Sequence, residues 1–297
     1  MKKLVFKGSG VALVTPMKED GSVNYETLDY LVDFHLSNQT DAMVICATTG
    51  ESPVLDHDEH CNVIKHVVKK VNKKVPVIAS TTGSNDTRYA VELSKNAQEL
   101  GADALLMVTP YYNKSSQSGL IRHYNYIADR VNLPIVLYNV PSRTGCNIKP
   151  ETYLELSKHP NINAVKEANG DITSIAKTIS LCGDDLYIYS GNDDQTYPIL
   201  ALGGKGVISV FANILPKAMH NICYDYFNGN IELSRTAFLK YFELMEALFM
   251  DVNPIPVKAA MKMLGVNSGD CRMPLTTLSD NDCNKLREVL KKYGLLK

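Results

Sequence analysis

The chain has 297 residues, 45% hydrophobic and 21% charged, with 31 basic and 32 acidic side chains and a formal net charge of −1. This balance lacks the positive excess on which nucleic-acid binding depends, and no apolar stretch approaches the length of a membrane span. Seven cysteines lie scattered without a C-x-x-C pair, so the expectation is reduced thiols in the cytoplasm, not a disulfide framework or a zinc site.

The opening MKKLVFKGSG carries two lysines, as a signal peptide would, but Lys7 and the glycines cut its apolar run short. Strand-like runs then recur along the chain: GVALVTP from Gly10, AMVICA from Ala42, VPVIAS from Val75 and ADALLMV from Ala102. LPIVLYN from Leu133, INAVKEA from Ile162, LYIYSG from Leu186 and GVISVFA from Gly206 complete the series. They lack polar alternation, the mark of parallel strands buried on both faces. Between them, segments such as NYETLDYLVDFHL, DEHCNVIKHVVKKV and DTRYAVELSKNAQEL put apolar residues at three- and four-residue spacing, as helices covering a sheet do.

Eight such strand–helix units predict a (β/α)8 TIM barrel over residues 1–225. An open doubly wound sheet is the alternative, but GSGVAL lacks the third glycine of a dinucleotide fingerprint and leads into a strand. After Phe211 only helical patterns follow, predicting a C-terminal helical domain over 226–297, with SDNDCNKL supplying the N-cap of the last helix.

In a barrel of this kind, functional groups gather at the C-terminal ends of the strands. Here those ends read CATTGES, VTPYYNK, LYNVPSRTG, AVKEANG, YSGND and GVISVFAN. Lys166 ends a buried strand. Loss of hydration there disfavours ammonium and leaves a neutral amine able to attack a carbonyl. A salt bridge is the other reading, though Glu167 points to the opposite face of the strand. Tyr138 could shuttle protons or simply fill core. Thr48 and Thr49 precede Gly50, where the backbone can turn and present donors to a carboxylate, or form an ordinary turn. Arg143 suits bidentate carboxylate recognition, or is an exposed loop charge.

Two other patterns carry less. His57 and His60 stand three apart at a helix start among acids, but no third metal ligand is evident and the helix dipole already favours the acids. Gly203–Gly206 could cradle a phosphate, but lacks the full phosphate-loop pattern and reads better as a tight turn.

Taken together, ATTGES, TPYYNKSSQSGL, LYNVPSRTG, VKEANGD, SGND and GGKGVISVFAN resemble the dihydrodipicolinate synthase family, in the family's order and across essentially the whole chain. These are pyruvate-dependent class I aldolase-like barrels. The resemblance implies condensation of pyruvate with aspartate 4-semialdehyde, on the route to diaminopimelate and lysine, without metal or organic cofactor. It implies that Lys166 is the Schiff-base lysine, Tyr138 the proton donor and acceptor, and Thr48 and Tyr112 the rest of a proton relay. Tyr112 is usually lent by a neighbouring subunit, so a homotetramer (a dimer of dimers) is implied. Thr49, Gly191 and Ile208 match positions around pyruvate, and Arg143 the residue that receives the aldehyde's carboxylate.

Two positions depart from the family. Ala47 replaces the usual glycine before the threonine pair. Feedback-inhibited relatives bind lysine at a subunit interface through a glutamate where this chain has Tyr89. Ser52, His57, Asn85 and Tyr111 match the remaining positions of that site. A phenol carries no charge at neutral pH, so weak or absent inhibition by lysine is expected. The alternatives are another pyruvate lysine aldolase, such as N-acetylneuraminate lyase, or a barrel that binds a keto acid without turnover. Arg143 weighs against the first and the complete relay against the second.

Overall fold

The computed structural model describes residues 2–80 and 84–297. Eight strands, β1 (Gly8–Ala12), β2 (Ala42–Ile45), β3 (Val77–Ser80), β4 (Ala104–Val108), β5 (Ile135–Asn139), β6 (Ile162–Glu167), β7 (Tyr187–Ser190) and β8 (Gly206–Ser209), close in chain order into one parallel barrel. The barrel follows from the sequence pattern: each strand is short and almost wholly buried, so both faces need cover. Its interior is filled by alternate strand residues, among them Val44, Ile78, Leu106, Val136, Ala164 and Ile208. Phe6 stacks on Tyr189 from below, with ring centroids 4.2 Å apart.

β1 begins at Gly8, two residues before the run predicted from Gly10, because Gly8 and Ser9 pair with Gly206 and Val207 to close the barrel. Gly206, at φ +144, lies so close to β1 that a Cβ would sit 1.8 Å from the Gly8 carbonyl oxygen. The glycines of Gly203–Gly206 thus form the turn into β8, at the end of the barrel opposite the strand C-termini.

The outer layer carries α1 (Tyr25–Ser37), α2 (His57–Val71), α3 (Thr87–Glu99), α4 (Gln117–Ala128), the short α5 (Pro141–Thr144), α6 (Pro150–Leu156), α7 (Ile172–Cys182) and α8 (Thr196–Ala201). Local chemistry sets their starts. Asp56 accepts from Glu59 N at 2.8 Å while Glu59 accepts from Asp56 N, a reciprocal cap on α2.

After β8 come α9 (Pro216–Phe227), α10 (Ile231–Ala247), α11 (Ile255–Met263) and α12 (Asp280–Lys292), and no further strand among the described residues. Ser279 caps α12 by accepting from Asp282 N. Residue 225 falls in the last turn of α9. α10 packs on α9 and α12, and α11 on α12. Among the described residues, no helix is long and apolar enough to cross a membrane.

Candidate active site

β5 and β6 pair so that Tyr138 stands opposite Lys166, and Lys166 in turn opposite Tyr189 on β7. Side chains in register on parallel neighbours share a face, and here that face is the barrel interior. Lys166 is 3% exposed and Tyr138 5%. The lysine Nζ lies 4.4 Å from the centroid of the Tyr138 ring. Glu167, the next residue, points outward. Its carboxylate accepts from Asn139 Nδ2 at 2.9 Å, Tyr153 OH at 2.7 Å and Asn169 N at 3.0 Å. Burial pushes the Glu167 carboxyl up to about 7. A Lys166–Glu167 salt bridge is therefore replaced by two separate arrangements on the two faces of β6.

The loop after β2 brings in Thr48 and Thr49. Thr49 is buried, and its Oγ1 accepts from Asn253 Nδ2 at 3.0 Å. Thr15 Oγ1 donates to Gly50 O at 2.7 Å, fixing the turn. Thr48 is half-buried, and its carbonyl accepts from Glu51 N. Ala47 is buried in the interior cluster, so its methyl adds to the packing there.

Arg143 lies exposed on α5, and its Nη2 donates to Asn253 O at 3.2 Å. Asn253 thus joins Thr49 to Arg143. Residue-by-residue reading of strand ends missed it because it comes from the connection between α10 and α11. Its only local signal is the turn-forming Asn-Pro pair.

Gly191 follows β7 and donates to Glu167 O at 2.7 Å, and a Cβ there would lie 2.7 Å from Ala168 Cβ. Glycine is required for this close approach beside the end of β6. Ile208 is fully buried in the interior. Asp193, also missed in the sequence, accepts from Val210 N at 3.0 Å and Phe211 N at 2.8 Å, tying the end of β7 to the end of β8. Burial pushes its carboxyl up to about 6.

Tyr112 stands apart from this buried set. It is 90% exposed, in a left-handed conformation at φ +64. The structure brings together four of the five positions matched to a lysine site: Ser52, His57, Tyr89 and Tyr111 line a cavity of about 120 Å³. Asn85 Nδ2 donates to Tyr111 O at its edge, and His57 Nδ1 lies 3.3 Å from Tyr89 OH. His60 bonds Ser80 O instead. Among the described residues, no group of three or more His, Cys, Asp or Glu is placed to hold a metal.

The class defined by these features is a closed (β/α)8 barrel with a buried lysine and tyrosine side by side at the C-terminal mouth. Within that class, residues 5–293 match the model of the dihydrodipicolinate synthetase family. The chain is 55% identical over 291 residues to the 4-hydroxy-tetrahydrodipicolinate synthase of Caldicellulosiruptor bescii, covering 98% of each. Among solved structures it is similar to the dihydrodipicolinate synthase of Thermotoga maritima, with 44% identity, 99% and 100% coverage and TM-score 0.96. It is also similar to that of Acinetobacter baumannii, crystallised with pyruvate, with 43% identity, 98% and 99% coverage and TM-score 0.95. The chain belongs to the dihydrodipicolinate synthetase family.

Proposed function

We propose that this enzyme condenses pyruvate with aspartate 4-semialdehyde through a Schiff base on Lys166, giving 4-hydroxy-tetrahydrodipicolinate for diaminopimelate and lysine synthesis. The observation that carries the reading is the buried Lys166 amine over the Tyr138 ring at the barrel mouth. The Lys166 amine adds to the pyruvate ketone, and Tyr138 returns protons as the carbinolamine loses water to form the imine. Loss of a methyl proton gives an enamine, with the imine nitrogen as electron sink. The enamine carbon attacks the aldehyde, whose carboxylate Arg143 receives. The substrate's own amine then closes the ring and displaces Lys166.

Thr49, Gly191 and Ile208 surround pyruvate, and Thr48 extends the relay. Tyr112 completes it from a neighbouring subunit in a homotetramer, which accounts for a large aromatic held in solvent in the isolated chain. The barrel, 1–225, is the catalytic domain and 226–297 the helical domain, in a cytoplasmic enzyme. At this cavity, burial raises the phenol's pKa, so Tyr89 itself supplies no charge to hold the ammonium of lysine.

Borohydride reduction in the presence of pyruvate, followed by peptide mass spectrometry, tests the reading. The expected product is a reduced pyruvate adduct on Lys166, absent in Lys166→Ala, with turnover in the presence of both substrates that sub-millimolar lysine leaves unchanged. An unmodified Lys166 in folded, pyruvate-treated enzyme would rule out the Schiff-base route.

A further inference from the structure

The loop that carries Thr48 and Thr49 is held by the C-terminal helices through a buried ion pair. Glu51, two residues beyond Thr49, has a fully buried side chain, and its Oε1 lies 2.5 Å from Nζ of Lys258 on α11, whose side chain is 3% exposed. Oε2 of Glu51 accepts from Arg272 N at 2.8 Å, and Lys258 also donates to Asp270 O at 3.3 Å. The Arg272 side chain continues the clasp, donating to Val54 O at 2.7 Å and pairing with Glu59.

The loop needs such restraint. Cys46 and Glu51, at its two ends, both adopt left-handed backbone at φ +53 and +56. Neither is glycine, so each conformation persists only where surroundings impose it. Stability alone does not explain a buried ion pair, since apolar residues of similar size commonly serve as well or better. What two charges in contact add is a fixed separation at one point of the loop.

We propose that Glu51 and Lys258 are positioning residues for the reaction, holding the Thr48–Thr49 loop in register with Lys166 and Tyr138. Helix α11 and the connection leading into it thereby become part of the active site's framework, the connection acting on Thr49 through Asn253 and the helix on the loop end through Lys258. This rests on the Schiff-base reading above. Misplacing reacting groups by about 1 Å can cost on the order of a hundredfold in rate, and the pair controls displacements of that size.

Two variants test the proposal. The double variant E51Q/K258M removes both buried charges together and leaves none unpaired. Glu51→Asp keeps the charge but shortens the reach by one methylene. For each, thermal unfolding identifies a temperature at which the protein is folded, and the pyruvate KM, kcat and rate of borohydride trapping are measured there. The expected result is at least about a tenfold slowing of adduct formation with a raised pyruvate KM. Wild-type trapping and KM in either folded variant would assign the pair a purely structural role and overturn the proposal. Should the double variant not fold, Glu51→Asp decides by the same criterion. Wild-type enzyme in the same series separates the two readings: failure of the wild type to form the adduct sinks the Schiff-base route itself.

Discussion

Lys166 and Glu167 are consecutive residues on opposite sides of one barrel wall. Lys166 faces the interior beside Tyr138. Glu167 faces outward into a buried network with Asn139, which follows Tyr138, and with Tyr153 of α6. That network has a pH signature. The Glu167 carboxyl moves from 4.5 to about 7 because burial disfavours its charge. Between those values the folded protein binds more protons than the unfolded chain, so this group's contribution to stability falls as pH rises. The penalty is absent below the unfolded value and complete above the folded one, reaching about 3 kcal/mol. Glu167→Gln can keep an acceptor toward Asn139 and Asn169 and turn its amide to the Tyr153 oxygen. Its melting temperature relative to wild type should therefore climb between about pH 5 and about pH 8. Parallel thermal melts check this, and a flat difference would show that Glu167 does not titrate in that window.

At the scale of elements, barrel closure depends on β1 meeting β8. Gly8 pairs with Gly206, and the backbones approach too closely for any side chain at position 206. Gly206→Ala is expected to cost about 3 kcal/mol or more, combining a steric collision with an unfavourable φ. Gly203→Ala shares a positive φ but faces open space, so a loss of about 1 kcal/mol is expected. Urea unfolding of the pair isolates the contact, and equal losses would refute the closure argument. This close approach also explains why β1 starts earlier than its apolar run. A strand's extent is set by its partner's hydrogen bonds, and glycines give no hydrophobic signal.

For the whole molecule, the residue to test is Tyr112, which is 90% exposed in the single chain. If it serves a neighbour's site, Lys166→Ala and Tyr112→Ala subunits should complement one another. In a hybrid, one site keeps its own Lys166 and receives an intact Tyr112 from the other chain. Co-expression with differential tags, isolation of the hybrid and assay with both substrates should give activity well above either parent. Hybrids no more active than their parents would confine Tyr112's role to its own chain.

Periodicity and burial chemistry in the sequence alone determined the alternation of strands and helices, the eightfold count and the helical C-terminal part. They also put Lys166, Tyr138, Thr49 and Gly191 at strand ends, because in a parallel barrel a strand's last residues open onto one rim. Only the tertiary structure decided which distant groups meet there. Asn253 and Lys258 lie some 200 positions from Thr49 and Glu51 in the chain, and Asp193 ties β7 to β8 through backbone N–H groups. The physical reason is that local pattern reports which face of an element is buried, whereas pairing of buried polar groups is a three-dimensional requirement. A buried charge must find a partner, and no residue's near neighbours reveal which one the fold will bring to it.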